Sequence, residues 1–257
     1  MLNTFQGLRA IVTPKQHIFL LGHMRAYTSL FGHIMGSNPA ICGYYEMHIG
    51  YHSWKSLYRQ KILYFEQEDS KPGFSHMFDK VLHNDHAVSP DILNSQKART
   101  IFSLRRPQQT IPSILKLYAS VDPEHEFNSE AFATQYYISR LETLEALAKQ
   151  VTCGFFYFDA ETLKSDSAKC LSGLSEWLDL PTPLSQNYTM QKKTSQQRFG
   201  DSSDRMKAGR ITTDKPTYTA SDYNAELMDA AASTHQRVRQ ILLEKSASHC
   251  MTQTLAN

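Results

Sequence analysis

The sequence predicts an α/β fold with a central, mostly parallel sheet flanked by helices. Three observations carry that prediction. Short apolar runs ending at glycine or in a turn recur along the chain, as strands buried on both faces require. Segments with apolar residues at helical spacing alternate with these runs. The 257 residues are 41% apolar and 20% charged, with no low-complexity tract or internal repeat, which suits one ordinary core.

The first strand is read in HIFLLG, His17 to Gly22, apolar and closed by a glycine. A helix follows from Thr28, where Leu30, Phe31, Ile34 and Met35 share a face and Ser37-Asn38-Pro39 stops it. A second strand–loop–helix unit opens at ARTIFSL, Ala98 to Leu104, turns at Arg105-Arg106-Pro107, and enters a helix from about Gln108 to Ser120 with Pro112 near its first turn. A helical stretch from about Ser129 to Gln150 precedes a third strand, CGFFYF, at Cys153 to Phe158. Leu171, Leu174 and Leu178 then mark one face of a helix that Pro181 ends, and Leu227, Ala231, Val238, Ile241 and Leu242 mark a last helix. In such a sheet, ligands are expected beyond the carboxyl ends of the strands.

Residues 186–219 break this pattern. They lack periodicity and carry Lys192, Lys193, Arg198, Arg205, Lys207, Arg210 and Lys215 against Asp201, Asp204 and Asp214. Long irregular segments inside a domain are uncommon and often functional, and the local positive excess marks this one as a lid over an anion. The whole chain, 1–257, reads as a single domain that includes this loop.

Charge and cysteine usage exclude several classes. A formal charge of +2 is too small for a protein whose main task is to coat nucleic acid or a membrane surface, so any anion site is local. Cys42, Cys153, Cys170 and Cys250 form no C-x-x-C pair, which argues against a disulfide framework or a thiolate metal cage and fits a reducing cytoplasm. The apolar stretch Ile18 to Leu21 is far short of a secretory core or of the roughly 20 residues that span a bilayer, so a soluble, unprocessed chain is expected. A homo-oligomer is left open.

The loop GHMRAYTSL, Gly22 to Leu30, sits between strand and helix. Backbone N–H groups at a helix start, the hydroxyls of Thr28 and Ser29, and the cation of Arg25 make a phosphate cradle. It is not the G-x-x-x-x-G-K-[ST] loop of nucleotide triphosphatases, because Tyr27 takes the place of the second glycine and no lysine precedes Thr28. In the second unit, LRRPQQTIPS places Arg105 at a strand end and Ser113 on the following helix, a fork and a hydroxyl suited to one phosphate.

With these two motifs the chain resembles the sulfotransferase family. The first loop looks like its Pro-[Arg/Lys]-Ser-Gly-Thr-[Thr/Ser] loop, with Arg25 as the basic residue, Thr28 and Ser29 as the hydroxyl pair, and Ala26 and Tyr27 in place of serine and glycine. Arg105 and Ser113 match the Arg-x-Pro and downstream serine. Three more stretches extend the likeness: MGSNPAICGYYE (Met35 to Glu46), FYFDAETLKSDSAKCLSGLSEWLDLP (Phe156 to Pro181), and FGDSSDRMKAGRI (Phe199 to Ile211), the last similar to a basic loop that folds over the nucleotide. The resemblance implies a three-layer P-loop-type α/β domain of the bacterial or tyrosylprotein-sulfotransferase kind. It also implies 3′-phosphoadenosine-5′-phosphosulfate as donor, adenosine 3′,5′-bisphosphate as product, and no metal requirement.

On that reading Arg25 and the 26–29 segment hold the 5′-phosphosulfate end, Arg105 and Ser113 hold the 3′-phosphate, and Lys207, Gly209 and Arg210 complete the lid. An acceptor hydroxyl must lose a proton, and Glu46 and His48 are the candidate bases. The resemblance favours Glu46, whereas intrinsic pKa favours His48. The acceptor is left open among a carbohydrate, a lipid headgroup, a small metabolite and a peptide tyrosine. Tyr44, Tyr45, Tyr51 and Trp54 either line its pocket or belong to the core. His48 and His52 have the i, i+4 spacing of a helical metal pair but no H-E-x-x-H context. The competing readings are a P-loop nucleotide kinase and a catalytically degenerate nucleotide-binding module.

Overall fold

The first strand, β1 (Gln16–Leu21), is apolar on both faces because helices cover both. Its residues alternate at period two, Phe19 and Leu21 into one apolar cluster and Ile18 and Leu20 into another. The computed structural model describes residues 9–194, 207–212 and 223–252. In chain order after β1 come α1 (Thr28–Ser37), β2 (Ile41–Cys42), α2 (Trp54–Phe65), β3 (His76–Val81), α3 (Pro90–Leu93) and β4 (Ala98–Leu104). Next are α4 (Pro107–Val121), a short 3₁₀ turn at Glu126–Asn128, α5 (Glu130–Gln150), β5 (Phe156–Asp159), α6 (Thr162–Ser165), α7 (Ser167–Trp177), α8 (Ala225–Lys245) and β6 (Ser248–Cys250).

All strand pairs among the described residues are parallel, in the order β2-β3-β1-β4-β5-β6. Leu21 stands opposite Val81 of β3 on one side and Phe102 of β4 on the other. One face packs on α4, α5 and α8 through Ile111, Ile114, Tyr137, Leu141, Leu144, Val238 and Leu242. The other packs on α1 and α7 through Phe31, Ile34, Met35, Leu171 and Leu174. The result is the three-layer α/β arrangement expected from the strand–helix alternation.

The helices at 28, 107, 130, 167 and 225 stand where the apolar spacing puts them. Three strands and α2 carry no clear sequence signal. β3 reads HMFDKV, and its buried His76, Asp79 and Lys80 hide a strand with every residue inside. β2 and β6 are two and three residues long at the sheet edges. The four cysteines are free. Among the described residues, no helix is long and apolar enough to cross a membrane.

Candidate functional site

The chain leaves β1 for β2 on one side while β4 lies on the other, so the carboxyl ends of β1 and β4 flank the switch point of the sheet. The loop after β1 and the turn after β4 meet there. Gly22 is needed at the strand exit, because a Cβ there would press against the Ser103 carbonyl oxygen at 3.1 Å.

Arg25 and Tyr27 both take left-handed backbone conformations, with φ of 63° and 56°. For non-glycine residues this costs about 1 kcal/mol or more each, and such strain clusters at binding sites. Tyr27 therefore keeps a glycine-like path rather than relaxing into the helical region. It offers no side-chain cap to α1, whose first turn also lacks an acidic residue. The first-turn N–H groups have no acceptor within the helix, so its positive end faces the crevice without a counter-charge from its own first turn.

Arg105 is 2% exposed. Its Nη1 donates to the Arg25 carbonyl oxygen at 2.7 Å, and its Nη2 donates to the Tyr27 hydroxyl at 2.9 Å and to Gln109 Oε1 at 3.0 Å. The guanidinium lies 4.1 Å from the Tyr27 ring centroid, and Lys164 Nζ lies 4.9 Å from the same ring. Arg25 Nε donates to Ser113 Oγ at 2.9 Å. The four residues Arg25, Tyr27, Arg105 and Ser113 thus form one connected group. Among the described residues, Arg105 Nε is buried with no partner. An unanswered guanidinium N–H beside a helix start is a donor set that an anionic group fits.

Buried polar groups hold this arrangement from behind. The Arg105 backbone N–H donates to His23 Nε2 at 3.0 Å, while His23 Nδ1 donates to the Met24 carbonyl at 3.0 Å. This pattern requires neutral imidazole, and burial pushes its pKa down to about 3. The Tyr137 hydroxyl donates to the Arg105 carbonyl at 2.7 Å. Arg140, 1% exposed, donates to the Gly22 carbonyl at 2.8 Å, to the Val81 carbonyl at 2.5 Å, and to Asn84 Oδ1 at 2.9 Å, which ties the ends of β1 and β3 together.

Glu46 is joined to the first loop through three hydrogen bonds. Its Oε1 accepts from the Leu82 N–H at 3.3 Å; the Leu82 carbonyl accepts from the Tyr136 hydroxyl at 2.9 Å; that hydroxyl accepts from the Met24 N–H at 3.0 Å. The Glu46 side chain is 11% exposed and that of His48 is 49% exposed, with His48 Nδ1 4.0 Å from Glu46 Oε1. Below them, Asp79 accepts from the Met47 N–H at 3.0 Å and from the Tyr51 hydroxyl, and burial raises its pKa to about 7. Burial lowers the pKa of Lys80 and of His83, and the charge of Glu46 opposes both shifts.

No family model matches the sequence, and no curated protein matches it. Among solved structures the chain is similar to a sulfotransferase domain from the curacin biosynthetic pathway, at a TM-score of 0.54 and 13% identity, over 86% of this chain and 97% of that one. The fold is sulfotransferase-like. In chain order, the segment Arg25 to Ser29 follows β1, Glu46 and His48 lie in the loop after β2, and Arg105 and Ser113 follow β4.

The lid expectation falls partly outside the described residues: Arg198, Arg205 and Lys215, with Asp201, Asp204 and Asp214, lie there. Its root is described. Tyr188 N–H donates to the Gly209 carbonyl at 2.8 Å and Ile211 N–H to the Gln186 carbonyl at 3.0 Å, so the short stretch containing Lys207, Gly209 and Arg210 pairs with 186–188. Gly209 has φ of 67°. Thr194 Oγ1 meets His33 Nε2 at 2.8 Å, which fastens the segment to α1. Lys192 and Lys193 turn toward Gln67 past the end of α2.

The aromatic stretch divides. Tyr44, Tyr45 and Tyr51 are 2%, 3% and 0% exposed and belong to the core, whereas Trp54 starts α2 and is 62% exposed. Residues 44–52 contain no helix, so the four-residue spacing of His48 and His52 does not place them on one helical face. Sequence reasoning missed His23, Tyr136 and Arg140. A lone buried arginine at the apolar spacing of α5 is the one trace they leave, and only the fold connects it to the ends of β1 and β3.

Proposed function

We propose that the chain is a sulfotransferase that uses 3′-phosphoadenosine-5′-phosphosulfate and an acceptor hydroxyl of a carbohydrate, lipid headgroup or small metabolite. One observation carries the reading: two arginines from different strand exits are joined directly beside a helix start, Arg105 donating to the Arg25 carbonyl, with Ser113 on Arg25, the Tyr27 hydroxyl on Arg105, and a buried Arg105 N–H unanswered among the described residues. The donor, when bound, supplies the sulfuryl group and a bisphosphate leaving group.

The chain's own groups bind and orient. Arg25, the backbone N–H groups of 26–29, and the Thr28 and Ser29 hydroxyls hold the 5′ end, where charge grows as the bond to sulfur breaks. Arg105 and Ser113 hold the 3′-phosphate and supply binding energy remote from the reacting atoms. Lys207, Gly209 and Arg210 close over the nucleotide. Glu46 takes the acceptor proton, with His48 4.0 Å away as its alternative. A cytoplasmic location goes with this reading.

Incubation with sulfur-labelled donor, a chelator and a panel of hydroxyl acceptors tests it. Label transfer with release of adenosine 3′,5′-bisphosphate is expected. Magnesium-dependent consumption of ATP instead would establish the kinase reading, and tight bisphosphate binding without transfer would establish a binding module.

A further inference from the structure

The amino ends of the strands carry a second cluster of positive charge. From Gln16 to Leu21, β1 rises about 17 Å at about 3.3 Å per residue, so the depth of the sheet separates this cluster from Arg25 and Arg105. A pocket of about 120 Å³ opens there. Its walls carry Lys15 and His17 from the start of β1, Lys97 from just before β4, and Trp54, Tyr58 and Lys61 from one side of α2.

No described carboxylate forms an ion pair with Lys15, Lys61 or Lys97. Lys61 is 2% exposed; its Nζ donates to the Thr13 carbonyl at 3.1 Å and sits 4.3 Å from the Tyr58 ring centroid. Burial, with the like charges of Lys15 and Lys97 behind it, pushes Lys61 down to about 8. Lys15 Nζ donates to the Phe74 carbonyl at 2.5 Å. An ammonium has three donors, so each of these lysines keeps hydrogen-bonding capacity beyond the single bond described. His17 Nδ1 pairs with Gln60 Oε1 at 2.6 Å, and burial holds its pKa near 4, so the positive charge of the pocket belongs to the lysines. Beside them, Trp54 is exposed and meets Tyr58 edge to face at 5.7 Å.

Like charges gathered around a concavity, without an internal counter-ion, are relieved by a bound anion. Three point charges and no guanidinium fork suit a tetrahedral oxyanion better than a planar carboxylate. The exposed indole and the phenol offer a flat apolar surface next to it. We propose that this pocket is a second ligand site, distinct from the nucleotide crevice, which takes a small aromatic phosphate, with the lysines on the phosphate and Trp54 and Tyr58 against the ring.

Calorimetric titration of the full chain with phenyl phosphate tests the site, using Lys97→Ala and Trp54→Ala because both residues are exposed and their removal leaves the core intact. Saturable binding is expected, weakened about tenfold by Lys97→Ala and roughly three- to tenfold by Trp54→Ala. Inorganic phosphate should bind more weakly than phenyl phosphate by a factor similar to the Trp54→Ala loss. Arg25→Ala should leave the phenyl phosphate affinity unaltered, while its own defect is read with adenosine 3′,5′-bisphosphate, so the two sites fail separately. Absence of saturable binding, a Kd that either pocket variant leaves unchanged, or a Kd that Arg25→Ala weakens overturns the proposal.

Discussion

The Arg105 guanidinium lies 4.1 Å from the centroid of the Tyr27 ring and donates Nη2–H to its hydroxyl at 2.9 Å. Tyr27 occupies a left-handed position that favours glycine, and the strain is offset by what the side chain does there: it holds the buried arginine in one orientation before any ligand arrives.

Tyr27→Phe keeps the ring and removes the hydroxyl acceptor. Affinity for adenosine 3′,5′-bisphosphate, measured by calorimetry, should fall roughly three- to tenfold, the effect of one hydrogen bond. Tyr27→Gly relieves the backbone strain but also removes the cation–π contact, and the loss should exceed that of Tyr27→Phe. An affinity that rises in the glycine variant would show that the ring obstructs Arg105 rather than orienting it.

His23 gives the site a pH dependence with a defined sign. Its pKa is depressed from 6.5 in the unfolded chain to about 3, so its contribution to stability is complete above pH 6.5 and is lost as the pH falls toward 3. His17, His76 and His235, each pushed down to about 4, act in the same direction. Asp79, raised from 3.8 to about 7, acts oppositely and loses its contribution as the pH rises through that window. In denaturant titrations between about pH 7 and pH 4, His23→Gln should lower stability at neutral pH and flatten the acid-side decline relative to the parent chain.

Glu46→Gln should lower turnover by about 10²- to 10⁴-fold, the range for a lost general base, while leaving bisphosphate affinity unaltered. Single-turnover kinetics with parallel calorimetry separates the two. Full turnover in Glu46→Gln with loss in His48→Ala would move the role to the histidine.

Gly32→Ala tests the packing that positions the first loop. A methyl group at Gly32 would overlap the Tyr44 carbonyl oxygen, a backbone atom that cannot rotate away. Denaturant unfolding should show a loss of about 3 kcal/mol, the upper end for over-packing.

The sequence exposes the parts of this fold that rest on local pattern. β1, β4 and β5 are apolar runs, and the strand ends Gly22 and Arg105 follow directly from them. β3 was illegible because Asp79 and Lys80 are buried there, and Asp79 is held by Tyr51 and Met47, partners that only the tertiary fold supplies. The same holds at the site. Arg25, Thr28, Ser29 and Ser113 lie in short motifs, whereas His23, Tyr136 and Arg140 act through contacts across as many as 118 positions of sequence. The lysine pocket escaped for a related reason, since Lys15, Lys61 and Lys97 come together only when α2 packs beneath the starts of β1 and β4.

A crystal structure with adenosine 3′,5′-bisphosphate tests the central claim most directly. The account predicts the 3′-phosphate on Arg105 and Ser113 and the 5′-phosphate at the start of α1 beside Arg25. A nucleotide bound elsewhere, or one whose two phosphates leave Arg105 untouched, would contradict it.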